Sequence, residues 1–307
     1  MQDMTPRAGP LPAARDITPM LVGNGPILVF GGPYSNLAAT TAMRARAEAL
    51  GIPPQRTICT GDVIAYCAEP EDTSRLVRDW GCHVVAGNCE EQIAAGAADC
   101  GCGFEEGSAC DILAKGWYPY ANQRVSSVTR EWMAQLPAAI TFETFGLRFR
   151  VVHGGSHIVN AFVFASQRDI VEAEHAAAGA DVVIAGHAGV PFMRRVPGGV
   201  WFNPGVIGMP ANDATTDVWY GLITARPGGG VRLSAYRLAY EHHGAAAAVR
   251  RQGYADDYAR ALVTGLWPSL DILPPLERAR TGQRLRVRSV DVAPTHAALR
   301  ETPPVTR

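Results

Sequence analysis

The chain has 307 residues, with 28 basic and 29 acidic side chains and a formal net charge of −1. Near-neutrality excludes a global pull toward nucleic acid or an anionic membrane, while leaving local basic clusters open. An apolar share of 47% supports a substantial core, and the length fits one large domain or two small ones.

Residues 1–25 are rich in Pro, Gly and Ala, and Pro6, Pro10, Pro12 and Pro19 argue against a helix there. No apolar stretch with a small-residue cleavage site reads as a signal peptide, and no run has the length of a transmembrane helix. A flexible leader over 1–25 and a cytoplasmic location are expected. Seven cysteines, an odd number without scaffold-like spacing, suggest reduced thiols.

The folded pattern starts near Pro26. Ile27–Phe30 reads as a buried strand, and Leu37–Leu50 as an Ala-rich helix ended by Gly51 and Pro53. Arg56–Thr60 is a second strand, Glu71–Trp80 a helix with acidic residues near its start, and His83–Ala86 a third strand. Gly96–Gly116, rich in Gly and Cys, breaks the rhythm as an insertion. Val125–Leu136 follows as a helix, then a hairpin of Ile140–Thr144 and Leu147–Val152 turning at Phe145-Gly146. Gln167–Ala178 is helical and Asp181–Ala185 a strand. Trp219–Thr224 and Val231–Tyr236 pair across Gly228–Gly230, and helices are expected at Ala245–Gln252 and Asp256–Thr264. The alternation of strand, loop and helix favours a layered α/β core.

Four polar motifs follow strands: Gly61-Asp62, Gly87-Asn88-Cys89-Glu90, Val152-His153-Gly154-Gly155 and Gly186-His187. Loops at strand ends are where α/β folds build sites. Carboxylate, amide and imidazole donors together suit a divalent metal of intermediate softness. The other reading of each, taken singly, is turn and capping chemistry.

Together these motifs resemble the calcineurin-like metallophosphoesterases, over about Ile27 to Leu238. Asn36-Leu37 matches the end of that family's first loop, Asn203-Pro204-Gly205 its late turn, and Tyr240 through Trp267-Pro268 to Pro275 the end of small bacterial members. The resemblance implies an αββα sandwich of two mixed sheets flanked by helices. It also implies a domain over 26–238 carrying the insertion at 96–116, a helical extension over 239–290, and a flexible tail over 291–307.

The departures are specific. Where the family opens with Asp-x-His, this chain has Gly32 and Tyr34; Cys89 replaces a His, and Gly189 replaces the last His. Family members normally hold two metals. The resemblance implies that every unshared ligand of one metal is absent here, while Asp62, Asn88, His153 and His187 remain for the other. The expectation is one divalent ion, Mn, Fe or Zn, since this ligand set does not choose among them.

The implied activity is phosphomonoester or phosphodiester hydrolysis by metal-activated water; the alternative is an inactive relative that binds a phosphorylated ligand or partner. Cys89 occupies the family's proton-donor position and is expected to tend toward thiolate beside a metal, with Glu90 as a substitute acid. The Tyr34 phenol is a candidate oxyanion donor or else a lid over apolar neighbours. Asn36 is a second neutral donor, and Arg194 and Arg195 are phosphate ligands or solvated charges. Cys100, Cys102 and Cys110 are thiols without a role, or a structural zinc or redox group. The residues point to a small phosphorylated ligand and to neither nucleic acid nor membrane; oligomeric state is not readable.

Overall fold

The computed structural model describes residues 18–19, 25–254 and 256–294. The expected leader therefore lies outside the described residues except at 18–19 and 25, as does the expected tail beyond Pro294.

In chain order the elements are β1 (Thr18–Pro19), β2 (Ile27–Phe30), α1 (Leu37–Ala49), β3 (Thr57–Cys59), α2 (Pro70–Trp80), β4 (His83–Val84), α3 (Asn88–Ala95), α4 (Ala109–Arg124) and α5 (Ser127–Ala134). They continue with β5 (Ala139–Thr144), β6 (Leu147–Val152), α6 (Arg168–Ala178), β7 (Val182–Ala185), β8 (Phe192–Val196), β9 (Gly199–Asn203), β10 (Val218–Ala225) and β11 (Val231–Leu238). The last are α7 (His242–Gln252), α8 (Asp256–Thr264), α9 (Pro275–Arg278) and β12 (Val290–Val292).

Two mixed sheets result, ordered β1-β5-β6-β7-β9-β8 and β12-β11-β10-β2-β3-β4. Alternate side chains leave opposite faces of a strand. Ile27 and Val29 of β2 thus join Val182 and Ile184 of β7 in a core between the sheets. Leu28 and Phe30 face the other way, onto Met43 and Ala47 of α1 and Val77 and Trp80 of α2. Val183 and Ala185 pack outward with Val171 and Ala178 of α6. Both faces of these strands are covered, which is why they read as unbroken apolar runs. The fold is the expected αββα sandwich.

A further core beyond the sheet ends gathers Trp117 and Tyr118 of α4, Met133 of α5, Val249 of α7 and Leu262 of α8. It places the C-terminal helices over the loops that follow β2 and β3.

The structure departs from the sequence reading in three places. Helix α4 starts inside the supposed irregular insertion, capped by Ser108, whose Oγ accepts from the Asp111 N–H at 3.2 Å. Gly116 and Pro119 hide it from propensity, and burial of Trp117, Tyr118 and Ala121 holds it. The β8–β9 hairpin was not expected, although Pro197-Gly198 between two apolar-rich runs is a turn signal. Val290–Val292, at the start of the supposed flexible tail, pairs with Val231–Leu233 of β11.

Candidate metal centre

Strands β2, β3 and β4 are mutually parallel, as are β6 and β7, so their C-terminal ends deliver loops to one edge of the sandwich. Asp62 comes from the loop after β3, Asn88 opens α3 after β4, His153 follows β6 and His187 follows β7. Ligand atoms of Asp62, His153 and His187 lie within 4.8 Å of one another, and all three residues are buried.

Each group is oriented by the backbone around it. His153 Nδ1 lies 2.6 Å from the Thr60 carbonyl oxygen, so that nitrogen carries the hydrogen and donates it. Nε2 lies 3.2 Å from Asp62 Oδ2 and 2.9 Å from His187 Nδ1; protonated, it donates to the carboxylate, and neutral, it offers the lone pair that a metal would take. Asp62 adopts a positive φ of 54°, a conformation that Asp tolerates better than most residues. Its Oδ1 accepts from the Cys89 N–H at 3.3 Å, which leaves Oδ2 for the imidazoles. Gly61 permits this packing: a Cβ there would lie 2.8 Å from His153 Nδ1 and 2.7 Å from Gly87 N.

Asn88, the fourth expected donor, opens α3. Its amide NH2 donates to the Cys100 carbonyl at 2.9 Å and contacts Cys102 Sγ at 3.3 Å, which fixes the orientation of the amide. Oδ1 is buried and has no partner among the described residues. A buried acceptor without a partner among the described residues, at the start of α3, and a cluster of one carboxylate and two imidazoles within 4.8 Å are donors that a divalent cation satisfies, so the residues present fit a metal.

Protonation follows from the same crowding. Burial acts to raise the Asp62 carboxyl, but the His153 charge and hydrogen bond outweigh it and hold the group well below the usual range. Burial acts to lower His153, and the facing Asp62 carboxylate reverses the sign, leaving it raised. Burial lowers His187, with the neighbouring His153 charge acting in the same direction.

Glu90 does not face the cluster as an acid. Its carboxylate accepts from the N–H groups of Asp62 (2.7 Å), Val63 (2.8 Å) and Gly87 (2.9 Å). It therefore supplies the glutamate half of a capping box at the start of α3, accepting from the N-cap Gly87 N–H, and ties that helix to the Asp62 loop. Burial pushes its carboxyl up to about 7, and the Asp62 charge adds to the rise. Cys89 is 1% exposed, and burial, with Asp62 and Glu90 nearby, raises its thiol well above the ordinary value.

The three positions where the resemblance implies missing ligands of one metal, Gly32, Tyr34 and Gly189, lie around one ring. Tyr34, at φ 50°, folds its side chain back over Gly32, where an added Cβ would meet ring atoms at 2.5, 2.6 and 2.9 Å. A Cβ at Gly189 would lie 3.8 Å from the Tyr34 hydroxyl. The phenol thus fills the space toward which side chains at 32 and 189 would project. It packs edge-on against Tyr66 at 4.8 Å between centroids, and burial raises its pKa well above the usual value, so it is neutral.

Tyr34 and His187 line a cavity of about 70 Å³ together with Tyr66, Phe162, Met209 and Trp267. No Lys or Arg lines it among the described residues. Phe162 packs on the His187 ring at 4.3 Å, and the Trp267 indole N–H donates to the Pro210 carbonyl at 2.6 Å. Spacing in the sequence gave no hint of Tyr66 or Phe162 here, because they arrive from separate elements.

The remaining candidates sit elsewhere. Asn36 caps α1: its Oδ1 accepts from Ala39 N at 3.1 Å and its Nδ2 donates to the Gly208 carbonyl at 3.1 Å. Its amide is thereby occupied, which corrects its assignment as a substrate donor. Arg194 and Arg195 lie on the edge strand β8, where they donate to the carbonyls of Ala165 and Asp291. The structure does not bring them to the metal cluster. Cys100 and Cys102 are joined as a disulfide, contrary to the expectation of reduced thiols, and Cys110 stands apart as a half-buried free thiol.

A family model described as the calcineurin-like phosphoesterase superfamily domain matches residues 35–225. Comparison with curated proteins gives no match. Among solved structures, a metallophosphoesterase from Sphaerobacter thermophilus is 18% identical with a TM-score of 0.64, covering 80% of this chain and 100% of its own. A hypothetical protein from Pyrococcus horikoshii OT3 is 16% identical with a TM-score of 0.66, covering 79% of this chain and 99% of its own. At such identities these likenesses speak for the fold, and the family model, spanning well over half of the sequence, speaks for descent. The chain belongs to the calcineurin-like phosphoesterase superfamily.

Proposed function

We propose that this protein is a phosphoesterase that works with a single divalent ion held by Asp62, Asn88, His153 and His187. The observation that carries the reading is the pairing of two features. Ligand atoms of Asp62, His153 and His187 converge and Asn88 Oδ1 is buried without a partner among the described residues, while the Tyr34 ring fills the space over Gly32. The first feature suits one cation, and the second leaves no room for a side chain at position 32 while the Tyr34 ring stays in place.

A bound divalent ion would polarise a phosphoryl oxygen and lower the pKa of water. The chain's own groups then have separate tasks. Thr60, through its carbonyl, holds His153 in the tautomer that presents Nε2. Glu90 holds the Asp62 loop against α3. The neutral Tyr34 phenol borders the same cavity as His187, where its hydroxyl is available to donate to a phosphoryl oxygen. The aromatic, cation-free lining favours an ester whose non-phosphate portion is flat and apolar. Cys89, buried and protonated, is a weak proton donor, so an ester with a good leaving group is the preferred substrate.

That last feature also favours a second reading, in which a phosphorylated ligand is bound without turnover. The two readings separate on hydrolysis of 4-nitrophenyl phosphate and bis(4-nitrophenyl) phosphate by metal-reconstituted protein. Turnover abolished in His153→Ala supports the enzyme. Equal rates in the two proteins identify a contaminant and remove the enzymatic reading.

A further inference from the structure

A second cleft, of about 410 Å³, lies away from the metal cluster and is lined by Arg280, Arg284, Arg286, Arg288, Phe192 and Met193, among others. None of the four guanidinium groups has a hydrogen bond or ion pair among the described residues. Arg284, Arg286 and Arg288 are exposed, while Leu285 and Val287 between them are half-buried. That alternation is the period of an extended chain, in which residues two apart are separated by about 6.6 Å and share a face.

The segment is anchored from its other side. Leu285 N donates to Asp213 Oδ2 at 2.8 Å, and its carbonyl accepts from Arg237 Nη2 at 3.0 Å. Ser289 Oγ meets Ser234 Oγ at 2.9 Å. The backbone is therefore fixed, and the arginine row projects from a rigid support. Nearby charge does not compensate it: Arg226 and Arg232 pair with Asp291 at 3.2 and 2.7 Å, and Arg195 donates to the carbonyl of the same residue. Asp213, within the cleft, is already paired with Arg237 at 2.5 Å.

Glu277 also lines the cleft, but its carboxylate accepts from the Ser166 N–H and hydroxyl and forms no ion pair with the row. Four guanidinium groups then outnumber the two acids of the lining, which favours an anionic occupant. A single phosphate needs one or two guanidinium groups. Four spread over nine residues suit an anion that repeats along a line. A concave cleft fits a chain better than it fits a flat bilayer. We infer that this cleft binds the phosphate backbone of a single-stranded nucleic acid, independently of the metal centre. Net charge gave no such indication, because acidic residues elsewhere cancel the row.

The test is fluorescence anisotropy with a fluorescein-labelled thymidine 20-mer in EDTA, titrated with the full chain at several NaCl concentrations. Single-strand binding with four phosphate contacts has a slope of log K on log salt of about −2.8, or roughly a 50-fold loss from 50 to 200 mM. Arg284→Ala/Arg286→Ala/Arg288→Ala lowers the slope to about −0.7, whereas the corresponding triple Lys variant retains most of it. His153→Ala binds as the wild type does. An unchanged melting temperature in the triple Ala variant separates lost contacts from lost folding; if that variant does not fold, the single charge reversal Arg286→Glu takes its place. Absence of binding at 50 mM NaCl, an unchanged slope in the arginine variant, loss of binding in His153→Ala, or binding to phosphatidylserine vesicles in place of the oligonucleotide would each overturn the assignment.

Discussion

Gly32 and Tyr34 behave as one steric unit, and a double-mutant cycle measures the coupling. A Cβ at Gly32 would sit 2.5 Å from Tyr34 Cζ, against 3.4–4 Å for ordinary contact. The ring is 5% exposed and backed by Tyr66, so its only room to retreat is toward the small cavity it borders. Overpacking of this kind costs about 1–3 kcal/mol. Gly32 also has φ +28°, outside the comfortable range of a side-chain-bearing residue, which adds roughly 1 kcal/mol. Gly32→Ala alone is therefore expected to lose about 2–4 kcal/mol. Tyr34→Ala alone loses about 3–5 kcal/mol as a large buried aromatic. With the ring removed, only the backbone part of the Gly32 penalty persists. The double variant is then about 1–3 kcal/mol more stable than the sum of the singles predicts. Equilibrium urea unfolding followed by tryptophan fluorescence reads this, with unchanged m-values as the check that the denatured state is comparable. Additivity within about 0.5 kcal/mol would show that the ring does not occupy the space above residue 32.

Other consequences follow from the same contacts. Glu90→Gln leaves at least one of the N–H groups of Asp62, Val63 and Gly87 without a good acceptor; thermal unfolding should show a loss of about 1–3 kcal/mol, and a metal-competition titration roughly 10–100-fold weaker binding. An unchanged metal affinity would detach Glu90 from the site. Burial acts to raise the Asp213 carboxyl, but hydrogen bonds from Thr215 and Leu285 and the Arg237 guanidinium hold it below its ordinary value. A depressed carboxyl contributes stability above its unfolded pKa of about 3.9 and loses it as pH falls through the lower folded value. The stability gap between wild type and Asp213→Asn should thus be full at pH 6 and close progressively below about pH 4; a gap that widens in acid would refute the sign. Thiol titration of unfolded, unreduced protein should find five free cysteines and seven after reduction, since Cys100 and Cys102 are joined. Seven without reductant would contradict that pairing.

The fold was legible where physics is local. Short apolar runs and the polar loops that end them marked β2, β3, β6 and β7, and with them the loops carrying Asp62, His153 and His187. Glu90 shows the limit of reading by residue type. Its carboxylate suggested an acid, yet Gly87-Asn88-Cys89-Glu90 also has the spacing of a capping box, and three N–H donors settle its role. Asn36 was similarly readable as an N-cap before Leu37–Ala49. Arg194 and Arg195 seemed close to the site because they follow His187 by only a few residues; the β8–β9 hairpin carries them to a sheet edge. Of the cavity wall, only the share of the C-terminal segment that carries Trp267 was foreseeable; Tyr66 and Phe162 meet it only through tertiary packing. The arginine row was hidden in a neutral composition, as clustering depends on which acids fold nearby.

The most direct test of the central claim is elemental metal content per chain, measured on protein purified without chelator and again after reconstitution with manganese, iron or zinc, beside His153→Ala. One equivalent in the wild type, lost in the variant, is the predicted result. Two equivalents at these residues, or none after reconstitution, would contradict a single-ion centre held by Asp62, Asn88, His153 and His187.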